Sequence, residues 1–570
     1  MMTDSHPRPS WLDTARFYEV YPQSFADANG DGIGDIPGLI GRLDYIASVG
    51  CNAIWLNPCF DSPFKDAGYD VRDYTKVAPR YGTNDDLVAL FRTAHERGMH
   101  VILDLVPGHT SEEHAWFRTS CAAEPADRTV ETADGGREDV SERYIWTDCW
   151  ISGADGLPFI GGEAERDGTY VLNFFKCQPA LNFGFAHPRH AWQKPALGKE
   201  ALATCEALLE VMRFWLSRGA DGFRVDMADS LVKQDDEGKP YTIRTWQWMF
   251  DRIRPEFPEA VFVSEWGRPH ESMAAGFDMD FYLDWRWDGV PNGYNMLLRN
   301  TDTPLTHDND ASYFNADSGA SIAPFLRQWE PQYADVERAG GCFNFITCNH
   351  DTLRTAQRLT DRERKLAYAT LLTLPGVPFL YYGDEIGMRY RPLPTREGGY
   401  VRTGSRTPMQ WDTTANLGFS PADAADLYLP VDPAPDAPTV ASQEADADSL
   451  LNWIRRVMAV RASSAALQAR AGYRTIAAPE HGRLFAFLRE APGGGESSTA
   501  GPAAATAGGN DVTTDGAGRV LVAVNPGHAV ESFALPEDVQ TPYPLTALGG
   551  HRVTDGTVTL EPQSLVILRV

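Results

Sequence analysis

In DGFRVDMAD, residues 221 to 229, Arg224 and Asp226 stand two apart in a run whose apolar neighbours predict a strand. Alternation along a strand sends both side chains to one face. There a carboxylate nucleophile would be kept ionised and oriented by the neighbouring guanidinium; the structural alternative is a buried ion pair. Glu265 closes the next apolar run, AVFVSEW (260 to 266), beside Trp266. A carboxyl group in such surroundings holds its proton more tightly and can give it to a leaving oxygen, although a helix-capping or rim carboxylate would look the same. His350 and Asp351 follow FNFIT (343 to 347), and Asp104 and His109 stand at the end of the run HVILDLV (100 to 106). Each of these is a weak signal alone, since such pairs also serve packing and capping. Their recurrence at four strand ends points to one polar site. Two carboxyl groups roughly 5 to 5.5 Å apart would mark retention at a glycosidic centre, and roughly 6.5 to 9.5 Å inversion.

Eight apolar runs rich in β-branched and aromatic residues can supply those ends: 17–21, 52–56, 100–106, 222–227, 260–266, 277–283, 343–347 and 377–383. Helical patterns separate them, including 84–98, with Asn84 as cap and Gly98 as stop, and 207–219. The alternation predicts a closed parallel (β/α)8 barrel, with its site at the C-terminal ends of the strands. Residues 107–182 are too long for a plain loop and are expected to form an inserted subdomain. The excursion 284–342 carries a helix-like stretch near 323–340. Beyond residue 425 the texture changes to a helix over 449–468 and then short strands with Gly, Pro and Asp turns. The expected division is a barrel from 1–106 and 183–425, an insertion at 107–182, and a C-terminal antiparallel β domain at 426–570. The small, polar, Gly-rich segment 493–512 reads as a mobile loop.

DANGDGIGD (27 to 35) places Asp27, Asn29, Asp31 and Asp35 at alternating positions, with the Ile33 carbonyl as a further oxygen. This all-oxygen spacing suits Ca2+, and by residue type also Mg2+. It lacks the terminal Glu of an EF-hand, and a solvated Asx turn is the alternative. No organic cofactor is expected.

The 570 residues carry a formal charge of −27, a surface that repels phosphate backbones and anionic lipid, so nucleic acid is not an expected partner. A neutral sugar meets no such barrier. No apolar run near the start has the form of a secretory leader, and none reaches the length of a spanning helix, so a cytoplasmic protein off the membrane is expected. The eight cysteines show no CxxC pair or zinc spacing and read as reduced, packed thiols.

Taken in order, DANGDGIGDIPGLI, DAGYDVRDY (66 to 74), DLVPGHTS (104 to 111), QPALN (178 to 182), DGFRVD, SEW, NHD (349 to 351) and SRTPMQWD (405 to 412) resemble the α-amylase superfamily, glycoside hydrolase family 13. The resemblance is to its oligo-1,6-glucosidase and α-glucosidase branch in particular, and it spans nearly the whole chain. It implies Asp226 as nucleophile, Glu265 as acid and base, and Asp351 as a third carboxylate binding the distorted ring. It further implies that His109 and His350 contact the terminal glucose, that Arg224 supports the nucleophile and that Tyr69 stacks on the sugar. Asp66 and Arg406 match the pair that closes the pocket in exo-acting members. The loop 27–35 matches the branch's structural calcium loop. Three positions depart from the pattern: Gly108 where an Asn is usual, Ala180 in place of the carboxylate of QPDLN, and Met227 after the nucleophile. The activity implied is that of a retaining exo-α-glucosidase on short saccharides. The alternative is a glucosyl transferase or disaccharide isomerase that interconverts maltose and trehalose or rearranges sucrose. A non-catalytic relative, like the ectodomains of transporter heavy chains, fits poorly, because all three carboxylates are present and no anchor is seen.

Overall fold

The computed structural model describes residues 8–132, 135–148, 154–283, 296–298, 311–492, 518–539 and 542–570. All eight expected strands form: β1 (Phe17–Val20), β2 (Ala53–Leu56), β3 (His100–Leu105), β4 (Gly222–Val225), β5 (Val261–Ser264), β6 (Met279–Phe281), β7 (Cys342–Asn344) and β8 (Phe379–Tyr381). They pair in parallel in the order β7-β6-β5-β4-β3-β2-β1-β8. The circle closes where Phe379 donates to the Phe345 carbonyl at 3.3 Å and Thr347 to that of Phe379 at 3.1 Å. Each strand is buried on both faces apart from the first residue of β3, as a parallel sheet under helices requires. Inside the barrel Phe17 stacks on Phe379 with centroids 4.5 Å apart, and Trp55 on Phe281 at 5.5 Å. This aromatic floor makes the barrel a packed core rather than a pore.

Helix α1 (Asn84–His95) buries Leu87, Leu90, Phe91 and Ala94. Its cap is Thr83, one residue earlier than expected: Thr83 Oγ1 accepts from the Asp86 amide at 3.2 Å while Asp86 accepts from that of Thr83 at 2.8 Å. This reciprocal pair satisfies two amides, a contribution of about 1 kcal/mol. Asn84 is thereby released to bridge Val77 and Thr75 at 2.9 and 2.8 Å. Between 107 and 182 the described residues form a three-stranded antiparallel sheet (146–147, 169–171, 159–161), a pair of strands (129–131 with 137–139), the short helix Ala115–Ser120 and a 3-10 turn, Pro125–Asp127. In the second excursion Ala323–Arg338 is helical as expected; residues 284–295 and 299–310 lie outside the described residues.

The helix expected over 449–468 spans Leu450–Ser463 and ends in a short 3-10 turn. Its Leu450, Trp453, Ile454, Val457 and Met458 belong to the barrel's own core. It packs on the barrel side, and the strands of the terminal sheets follow it from Gly472 onward. Period-2 alternation explains how the terminal domain docks. Phe485, Phe487, Val520, Val522 and Ile567 face the barrel core, while Ala486, Leu488, Leu521, Val566 and Leu568 face a second sheet carrying Phe533, Val558 and Leu560. At the seam Arg461 donates to the carbonyls of Leu372, Leu374 and Gly376, and Arg489 to those of Thr373, Gln468, Ala471 and Gly472. Both guanidinium groups are buried. The Gly-rich segment 493–512 lies outside the described residues. Among the described residues no helix is long and apolar enough to cross a membrane.

Candidate active site

The strand pairing places Arg224 of β4 directly opposite Asp104 of β3. Backbone bonds carry the ladder past the strand ends: the Asp226 amide donates to Leu105 at 2.8 Å and that of Glu265 to Val225 at 3.0 Å. Both acids thus stand on rigid barrel backbone. Arg224 links three carboxylates, reaching Asp104 at 2.8 Å, Asp226 at 3.0 Å and Glu265 at 2.7 Å. Met227 holds a left-handed backbone conformation, φ 42°, which a side-chain-bearing residue adopts only when its surroundings enforce it. The turn aims its amide at Glu265 Oε2, 3.0 Å away.

Burial pushes the Asp226 carboxyl well above the usual carboxylate range, and the charge of Glu265 adds to this; Arg224 pulls the other way without prevailing. Arg224 acts in the direction expected of it, against a larger effect of burial.

On the other wall, Asp351 accepts from Arg402 at 2.8 Å and from Arg406 at 2.9 Å. Burial opposes its ionisation, but the facing positive groups prevail and hold it well below the usual range. His350 is itself lowered to about 3 by burial. At neutral pH it is uncharged, so Arg402 and Arg406 supply the compensating charge. His350 lies between Glu19 Oε1 (2.8 Å) and the Tyr69 hydroxyl (2.6 Å), and Tyr69 also donates to Asp104 at 3.2 Å. Tyr69 stacks against the His350 ring with centroids 5.5 Å apart.

Asp66 and Arg406 have different partners in the structure. Arg406 turns to Asp351 and to the His350 carbonyl, 2.8 Å away. Asp66 accepts instead from Gln178 at 2.7 Å and has Arg402 at 3.8 Å. Burial raises Asp66 to about 7, with Gln178 and Arg402 opposing. Arg402 is thus a site residue that sequence reasoning missed, as are Glu19 and Asn57, which donates to Glu19 at 3.2 Å. A lone Glu inside the apolar run FYEVY was the available signal for Glu19; Arg402 lies in an irregular stretch that offers none.

These groups open into one cavity of about 770 Å³, lined among others by Asp66, Tyr69, His109, Asp226, Glu265, Asp351 and Arg402. Phe174, Met227, Asp229, Lys239 and Arg268 also line it, a mixed aromatic and charged set. The volume lies in the range of small-molecule sites and accommodates a disaccharide. Of the three departures, only Met227 lines the cavity. Ala180 packs with Ile145, Val171 and Phe185 in a small apolar cluster, where a carboxylate would be buried without a partner.

The loop 27–35 is wrapped by its own hydrogen bonds. Asp27 accepts from the amides of Gly30 (2.7 Å) and Gly32 (2.8 Å) and from Ser420 Oγ (2.6 Å). Asn29 and Asp31 each accept from the amide two residues on, both at 2.9 Å, and Asp35 caps the following short helix. The oxygen-only donor set fits a hard cation by chemistry. Its hydrogen bonds nonetheless account for the wrap, and among the described residues no three acidic, imidazole or thiol groups gather as metal ligands. The loop also docks on residues 419–428: Asp27 donates to Phe419, and Tyr428 to Gly32, both at 3.0 Å. A Cβ at Gly32 would stand 2.3 Å from the Asp426 carbonyl, so glycine is required there.

A closed parallel barrel whose strand ends carry this Asp–Glu–Asp set around one guanidinium defines a class. Residues 19–470 match the model of the alpha amylase catalytic domain, and the chain belongs to the α-amylase family. It is 34% identical over 495 residues to the trehalose synthase/amylase TreS of Mycobacterium tuberculosis, covering 80% of this chain and 75% of that protein. To the oligo-1,6-glucosidase of Heyndrickxia coagulans it is 29% identical, covering 84% and 90%. The trehalulose synthase MutB from Pseudomonas mesoacidophila MX-45 shares the fold with a TM-score of 0.73 at 24% identity, covering 99% of this chain and 100% of that one. The relatives thus span the synthases as well as the oligo-1,6-glucosidases, and do not single out the branch expected from the motifs.

Proposed function

We propose that this protein is a retaining α-glucosyl-transferring enzyme that rearranges a disaccharide, with hydrolysis as a side reaction. The observation that carries the retaining chemistry is that Asp226 and Glu265 share Arg224 on adjacent strands of one cavity. Asp226 attacks the anomeric carbon of an α-glucoside and forms an ester bond, while Glu265 gives its proton to the departing glycosidic oxygen. The β-glucosyl ester is then opened by a hydroxyl whose proton returns to Glu265, restoring the α configuration. Asp351, held ionised by Arg402 and Arg406, accepts from ring hydroxyls and faces the positive charge that develops on the ring. His109, His350 and Tyr69 complete the glucose site, and Asp66 with Arg402 closes its inner end. An oxygen-bound cation at loop 27–35 would act at a distance, as a brace for the 419–428 contact.

The acceptor decides between rearrangement and hydrolysis. When the released sugar stays and returns a different hydroxyl, the product is an isomeric disaccharide; when water arrives first, it is glucose. The difference is a few kcal/mol of barrier. The similarity to the mycobacterial trehalose synthase supports the first outcome. A second reading, exo-α-glucosidase, is favoured by the closed inner end of the pocket and by the similarity to the oligo-1,6-glucosidase. Incubation with maltose, trehalose, sucrose and isomaltose separately, in 18O-water with NMR of the products, decides. A new disaccharide with little labelled glucose is the expected result. Labelled glucose alone from every substrate would overturn rearrangement in favour of hydrolysis.

A further inference from the structure

Gly108, which stands immediately before His109 and has no place in the reaction above, lies beneath a side chain from the inserted subdomain. A Cβ built on Gly108 would stand 2.8 Å from Asn173 Nδ2. Glycine is what lets that amide settle over the end of β3. From there Asn173 Nδ2 meets His109 Nδ1 at 3.0 Å, and Asn173 Oδ1 accepts from Lys233 Nζ at 2.7 Å. Lys233 is buried and donates also to the Ser230 carbonyl at 3.1 Å. Burial lowers its amine to about 8, so below that pH it is an ammonium with donors only.

This chain of contacts has one consistent proton arrangement. An ammonium cannot accept, so the carbonyl end of the Asn173 amide must face Lys233. The NH2 end then faces His109, whose Nδ1 must supply the lone pair. Burial holds the imidazole uncharged at neutral pH, and its single proton therefore resides on Nε2. Nε2 lies 3.2 Å from the Tyr69 carbonyl, on a side chain that lines the cavity.

We infer that Asn173, clamped by Lys233 and admitted by Gly108, is a positioning residue that fixes His109 in its Nε2-protonated tautomer and so makes it a hydrogen-bond donor to one hydroxyl of the bound glucosyl unit. The insertion thereby supplies, from a side chain far along the sequence, an amide that steadies the histidine. The hydroxyl contact rests on the function proposed above; the tautomer does not.

The test uses the full chain labelled with 15N-histidine, with the His109 ring signals assigned against His109→Gln. The wild type should show a pyrrole-like Nε2 and a pyridine-like Nδ1. In Asn173→Asp, one carboxylate oxygen pairs with Lys233 and the other requires a donor, so the proton should move to Nδ1. Gly108→Ala should displace the amide and abolish the single fixed tautomer, with no further change in an Asn173→Ala background. Kinetically, Asn173→Asp should raise KM about 3- to 10-fold with little change in kcat, the size of one lost neutral hydrogen bond. That penalty should vanish with the one monodeoxy substrate lacking the contacted hydroxyl. A His109 tautomer unchanged in both Asn173→Asp and Gly108→Ala overturns the positioning role. A shifted tautomer with an equal KM penalty for every monodeoxy substrate keeps the positioning role and overturns the hydroxyl contact instead.

Discussion

Replacing Arg224 tests the proposed nucleophile through its protonation. Arg224 holds Asp226 by one contact of 3.0 Å and is the opposing charge that keeps its carboxyl from rising further. A hydrogen bond to a charged group contributes about 1.5 to 3 kcal/mol, and one pH unit corresponds to about 1.36 kcal/mol. Arg224→Met should therefore raise the pKa of Asp226 by about 1 to 2. Because attack requires the ionised form, activity is lost as pH falls through that pKa, and the acid limb of kcat/KM should move upward by the same amount. Arg224→Lys keeps the charge but reaches fewer carboxylates, and should shift the limb less. The measurement is the initial rate of disaccharide conversion across pH, with near-UV circular dichroism to establish folding. Breaking a buried ion network costs about 3 to 5 kcal/mol, so the lysine variant guards against an unfolded methionine variant. An acid limb that stays in place in a folded Arg224→Lys or Arg224→Met protein refutes the reasoning.

Asp226→Asn should eliminate turnover while the melting temperature stays level or rises, since a carboxyl raised by burial opposes folding at neutral pH; calorimetry beside the rate assay checks both. Asp66 ionises near 7, so KM should rise as pH falls below about 7 and Asp66 loses the charge that faces Arg402, whereas Asp66→Asn should show the raised KM at every pH. Arg402→Ala should lower kcat/KM by about 10- to 100-fold, the range for one charge-assisted bond to Asp351; a value within twofold of wild type removes Arg402 from the site. If a cation braces the loop 27–35, millimolar calcium should raise the melting temperature above that in EDTA through mass action, and identical values in the two conditions refute the brace.

The strands were legible because each apolar run had to be buried on both faces, and because a polar residue directly after such a run has only the barrel mouth to occupy. Asp226, Glu265 and Asp351 follow from that constraint. Arg402 does not: it sits in a 3-10 turn, Tyr400–Ser405, whose path over the pocket is set by contacts with separate parts of the chain, among them Asp351, Thr352 and Asp66. The contacts of Asp66 are hidden for the same reason, since Arg402 and Arg406 lie one turn apart and only geometry separates their tasks. Thr83 and Asn84 are both good caps, and the choice fell to Asp86, three residues after Thr83. The stripe of Leu450, Trp453, Ile454 and Val457 made a helix legible without saying which core it covers. Asn173 carries no local signal at all. Its role depends on the space left open at Gly108.

The seam arginines make the terminal sheets something other than an appendage. Arg489 comes from a sheet strand and Arg461 from a barrel helix, yet both close carbonyls in the single stretch between Leu372 and Gly376, immediately before β8. Cutting the chain after residue 470 would leave the Thr373 carbonyl without its guanidinium and strip Phe485, Phe487 and Ile567 from the barrel core. Exchange of this part between relatives has to carry an equivalent of Arg489 with it. Heating should melt barrel and sheets in one transition, as a single cooperative unit in which the last barrel strand is the shared piece.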